Sequence, residues 1–185
     1  MNKAMNYFFQ TTFKPVQTYG DYLADDEFQK SSKEVFIIAL ISYVVLLVIV
    51  SPIIYLGEYF IESFRFSLVP QAAAVLIGFL LRIAGVFLLI QVLTQTKPDL
   101  YKIMGLIGMS FLPVLMASFI NMIINSEYYF VITFAGLAGN AVVMGLGLKQ
   151  LFELSIEKAM IGAFAVLIIL YFLMDYVYDF VWGGF

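Results

Sequence analysis

The chain has no cysteine, no histidine and a single tryptophan, and only 12% of its 185 residues are charged. Without cysteine there is no disulfide, no thiol nucleophile and no thiolate ligand. Without histidine there is no imidazole base and no imidazole ligand. No metal and no cofactor is expected. A soluble domain carries about 25% charged residues, so a chain with about half that share cannot cover a water-facing surface. The net charge of −3 provides no basic face for nucleic acid. Catalytic patterns are missing too: there is no Walker loop, no GxGxxG and no pair of facing intramembrane aspartates, since Asp175 and Asp179 share one outer edge. The run Asp25-Asp26-Glu27, beside lysines, reads as solvated surface. An enzyme is not expected. The amino end, MNKAMNYFFQTTFKPVQ, lacks the basic-then-apolar pattern of a cleaved signal.

What the chain has is apolar length. It is 63% hydrophobic, with a mean hydropathy of +0.96. A spanning helix needs about 20 mostly apolar residues, and five stretches supply them: 35–57, 71–95, 103–125, 128–148 and 159–181. No stretch alternates like a barrel strand, so the expected fold is all-α, a polytopic bundle of five transmembrane helices. Only a short turn at Glu127 separates spans three and four, which makes them a tight helical hairpin. Pro52 and Pro113 are expected to kink spans one and three. On span four the pairs Ala135/Gly139 and Ala141/Gly145 follow the small-xxx-small spacing that lets helices approach closely.

Lysine and arginine set the direction. Lys3, Lys14, Lys30, Lys33, Lys97, Lys102, Lys149 and Lys158 fall on one side, and Arg65 alone on the other. The N-terminus is therefore expected in the cytoplasm and the C-terminus outside the cell membrane. Residues 1–34 form a cytoplasmic interfacial segment and residues 35–185 the five-helix domain. The interfacial segment mixes Tyr7, Phe8, Phe9, Phe13, Tyr19, Tyr22 and Phe28 with charges, and is expected to lie on the inner leaflet as short amphipathic helices broken at Pro15 and Gly20. A second interfacial helix is expected after span one, at 58–70.

Arg82 breaks the apolar pattern of span two. It stands near the bilayer centre, where a charge costs about 2.5–3.5 kcal/mol on insertion scales. It has to face the bundle and find acceptors. Asn140 lies at matching depth on span four, with Asp175 and Asn121 further out. Arg82, Asn140, Asp175 and Asn121 are thus the candidate site. They form either a buried polar network that locks the bundle or a ligand-binding site in which the guanidinium holds a phosphate or carboxylate.

The arrangement resembles the Yip1-domain family. The points of likeness are a short lead with a proline, KPVQTYGDYLADDEFQK; a third span with a mid-helix proline, YKIMGLIGMSFLPVLMASFI; and the last loop and span, GLGLKQLFELSIEKAMIGAFAVLIILYFL. The family's Asp-Leu-Tyr-Gly motif precedes the first span in its eukaryotic members. Here Asp99-Leu100-Tyr101 stands between spans two and three and is followed by Lys102, so the vesicle-trafficking role is not carried over. The resemblance implies an N-in, five-span adaptor or organiser that is not an enzyme and that binds a membrane lipid or another membrane protein. The alternative is a small transporter, or a substrate-binding membrane subunit, with a polar site around Arg82.

Overall fold

The computed structural model describes residues 3–46, 60–124 and 128–183. In chain order the helices are α1 (Lys3–Gln10), α2 (Pro15–Leu23), α3 (Phe28–Val45), α4 (Phe60–Thr94), α5 (Leu100–Ser110), α6 (Leu112–Ile124), α7 (Tyr129–Phe152) and α8 (Ile156–Gly183). Among the described residues four stretches are long and apolar enough to cross a membrane: Val75–Thr94, Leu100–Ile124, Tyr129–Phe152 and Ile156–Leu173. They match expected spans two to five. Expected span one begins inside α3, and its second half, with Pro52, lies outside the described residues.

The expected interfacial helix after span one is not a separate element. Residues 58 and 59 lie outside the described residues, and from Phe60 a single helix of 35 residues runs to Thr94, straight through Pro70. Its length of roughly 52 Å exceeds the roughly 30 Å of hydrocarbon. Proline removes one N–H from a helix, whereas a break would strand several backbone groups where no water replaces them. Pro113 acts differently. The chain turns at Phe111, whose N–H bonds to the Gly108 carbonyl at 3.4 Å, and α6 restarts with the Val114 and Leu115 N–H groups on the Phe111 carbonyl. The third span is therefore two helices, with the break at its middle.

Helix α3 packs on α5, α4 on α8 and α5, and α7 on α8, α6 and α5. Glycine sets the closest approaches. At Gly108 of α5 a Cβ would stand 2.8 Å from the Phe36 backbone nitrogen of α3, and at Gly145 of α7 it would stand 2.5 Å from the sulfur of Met160.

The N-terminal helices depart from expectation in two ways. Gly20 does not interrupt α2, which runs from Pro15 to Leu23. Glycine costs a helix about 1 kcal/mol, and burial of Tyr19 and Tyr22 on either side outweighs this. Moreover α1 and α2 do not simply rest on lipid. Ala4, Phe8, Thr11, Tyr19 and Tyr22 are buried against the bundle, with α1 on α3 and α2 on α7. Helix α3 starts at Phe28, so the expected division at 34/35 falls inside a continuous helix.

Candidate functional site

Arg82 sits on the inward face of α4. Val75, Phe79, Val86 and Ile90 are buried and share its helical stripe, while Leu76, Leu80, Leu88 and Val92 are exposed on the other side. The guanidinium lies over the ring of Phe111, 4.8 Å from its centre. Phe111 is the residue at the break between α5 and α6, and it anchors an aromatic cluster. Tyr43 meets it edge-on at 5.1 Å, Phe79 lies at 5.0 Å, and Phe36 packs edge-on to Phe79 at 5.4 Å. Tyr43 is also within electrostatic reach of Arg82. A cation–π contact contributes about 0.5–2 kcal/mol, less than the insertion cost of about 2.5–3.5 kcal/mol. The ring thus offsets part of the cost. Among the described residues no carboxylate pairs with Arg82.

The sequence-derived partners stand apart from it. Asn140 is fully buried on α7, and neither its Nδ2 nor its Oδ1 has a hydrogen-bond partner. Its depth matches that of Arg82, but α4 and α7 share no extended contact, so equal depth did not bring the two together. Asn121 on α6 donates from Nδ2 to Thr133 Oγ1 on α7 at 2.8 Å, which ties the α6–α7 hairpin, and its Oδ1 is unpartnered. Asp175 lies on α8, with its side chain outside the described residues. Phe111 and Tyr43 escaped the sequence reading. The available signal was a ring two residues before a mid-span proline, and a phenol near the middle of a mostly aliphatic first span.

A second polar cluster joins the N-terminal helices to the bundle. Asp25, expected to be solvated, has a fully buried side chain. Its carboxylate accepts from Lys3 Nζ at 2.9 Å, Tyr7 Oη at 3.3 Å, Ser31 Oγ at 2.6 Å and the Glu27 N–H at 3.1 Å. Burial alone would push its pKa up. The bonds from Ser31, Lys3 and Glu27 and the lysine charge prevail and hold it at about 2. Burial also raises the phenols of Tyr19 and Tyr22 above their ordinary 10. Tyr22 Oη bonds Ser32 Oγ at 2.5 Å and reaches the Tyr101 carbonyl at 3.4 Å. Lys33 lies over the Tyr101 ring, and Lys102 Nζ donates to the Leu151 carbonyl at 3.1 Å. The N-terminal helices and the loops with Lys97 and Glu153 therefore gather at one end of the bundle.

Apolar spans, an inward-facing arginine and a helical bundle define an integral, multi-pass membrane protein. The chain belongs to the Yip1-domain family, whose model matches residues 9–176. No curated protein and no solved structure matches it.

Proposed function

We propose that the protein is a non-catalytic adaptor or organiser of the cell membrane, N-terminus in the cytoplasm, that holds an amphipathic platform against the inner leaflet. The observation that carries this reading is how α1 and α2 divide their surfaces. On α1 one arc (Ala4, Tyr7, Phe8) is buried on the bundle. About 130° further round, Met5 and Phe9 are exposed, and Lys3, Asn6 and Gln10 take the remaining arc. On α2, Thr18, Tyr19 and Tyr22 are buried, Val16 and Leu23 are exposed and apolar, and Gln17 and Asp21 are exposed and polar. Phe13, between the helices, is 74% exposed. Three arcs facing protein, lipid and water describe a helix at the rim of a membrane bundle. The lysine-bearing loops at the same end support a cytoplasmic assignment.

The absence of cysteine makes single-site spin labelling clean. In anionic lipid bilayers, labels at Phe9, Phe13 and Val16 are expected to be more accessible to oxygen than to a water-soluble nickel chelate, with the reverse at Gln10 and Gln17. Chelate access at all five positions would remove the platform. A second reading, transport of a small anionic or amphiphilic molecule, is favoured by Arg82, which faces inward with only aromatic partners among the described residues. It gains if a co-purified anion is lost in Arg82→Leu while the fold is kept.

A further inference from the structure

The break at Phe111 leaves backbone groups unserved. Pro113 has no N–H, so the Met109 carbonyl has lost its helical donor. The Val114 N–H, which would serve Ser110 in an unbroken helix, bonds to the Phe111 carbonyl at 3.1 Å instead. This happens at the middle of the Leu100–Ile124 span, where no bulk water can serve an unsatisfied backbone group.

The register of α7 sets Asn140 opposite that break. Asn121 bonds Thr133; further along α7, Gly136 lies against Ala117 and the Pro113 carbonyl, and Gly139 against the Pro113 ring; further still, Gly147 lies against Leu106. Asn140 follows Gly136 by one turn on the same face and so stands level with residues 109–112. Its amide is fully buried with both polar atoms unpartnered. A buried amide bonded to nothing carries a desolvation cost that no bond returns. The unpartnered amide of α7 and the carbonyl freed in α5 thus lie at one level of the α5–α7 contact.

We propose that the Phe111 break is a binding site for internal water, held between the Asn140 amide and the Met109 carbonyl. The chemistry selects water among small ligands. A cation is repelled by the Arg82 guanidinium on the Phe111 ring. An anion meets the freed carbonyls and the Asn140 oxygen. A neutral molecule that both donates and accepts satisfies the amide nitrogen, the amide oxygen and the carbonyl together, as buried waters do. The site is independent of the platform at the cytoplasmic end.

The test is X-ray radiolytic labelling of the full chain in lipid nanodiscs, in which bound water generates hydroxyl radicals where it sits. The peptide with Met109 and Phe111, both buried, is expected to be oxidised within a millisecond pulse. Labelling should fall several-fold in Asn140→Leu, with exposed Leu100 at the loop end of α5 as the unchanged reference. Asn140→Leu should also lower Tm, because the freed carbonyl then loses its bridge. An inert Met109–Phe111 peptide in the wild type, equal labelling in the variant, or a raised Tm overturns the proposal. The wild-type labelling needs no variant, so a variant that fails to fold leaves the question decided.

Discussion

The two polar centres of this molecule are built on opposite terms. At the end where the N-terminal helices pack, Asp25 gathers four donors from α1, α3 and its own turn. In the core, Arg82 has a ring and no described carboxylate, and Asn140 has no partner at all. Cost alone would predict the reverse. Near water an unpaired group falls back on solvent, whereas in the membrane it cannot. The Asp25 cluster therefore behaves as a latch, in which every bond holds α1 and α2 in place. The core groups are left without the bonds that would stabilise a dry bundle.

Glycine substitutions should separate the two regions most sharply. A Cβ on Gly108 meets backbone: it lies 2.8 Å from Phe36 N and 2.9 Å from the Val35 carbonyl carbon, so α3 and α5 must move apart. Gly108→Ala is expected to cost about 1–3 kcal/mol, read as a lower Tm in detergent. Gly20 in α2 has nothing within 4 Å of its Cβ position, so Gly20→Ala should gain about 0.5–1 kcal/mol from helix propensity. Equal effects at the two sites would mean that the core is no tighter than the N-terminal platform.

The latch has a pH signature. Asp25 is held at about 2 against an ordinary 3.8, so the folded state favours the ionised carboxylate. The stabilisation is complete above about pH 4 and disappears as pH falls toward 2. The protection factors of the α1 amides, corrected for the intrinsic pH dependence of exchange, should fall over that window and stay constant from pH 5 to 8. Asn at position 25 keeps the shape but loses the charge, so Asp25→Asn should show the lower protection already at pH 5 to 8, at a cost of about 1–3 kcal/mol for charged hydrogen bonds lost. Protection that ignores both pH and the substitution would show that α1 is held by Phe8 and Tyr7 packing alone.

The spans were legible because an apolar run near 20 residues has few other uses, and four of the five expected runs are helices of spanning length among the described residues. Covering was not legible. An amphipathic pattern such as Tyr19/Tyr22 marks an apolar face but does not say whether lipid or protein will cover it. Proline was only half legible, since Pro70 is absorbed by α4 while Pro113 divides α5 from α6. Arg82 does face inward, onto Phe111, but depth matching chose Asn140 on a helix that shares no extended contact with α4. Sequence gives depth along the membrane normal. It does not give the order of helices around the bundle, and that order brought Phe111 and Tyr43 to the guanidinium.

The smallest effect is the most informative about the core. If the Phe111 ring is what Arg82 rests on, the two residues are coupled. A double-mutant cycle with Arg82→Leu and Phe111→Leu, followed by thermal unfolding in nanodiscs, should return an interaction energy of about 0.5–2 kcal/mol. Phe111→Leu alone should cost more than the loss of ring area implies, because it takes from the guanidinium the ring on which it lies. Arg82→Leu alone should be neutral or stabilising, because an apolar side chain replaces a charge whose insertion cost the ring only partly offsets. A coupling near zero with a strongly destabilising Arg82→Leu would reverse the comparison. The arginine would then be bonded as thoroughly as Asp25, through groups other than the ring, and the core would be a second latch.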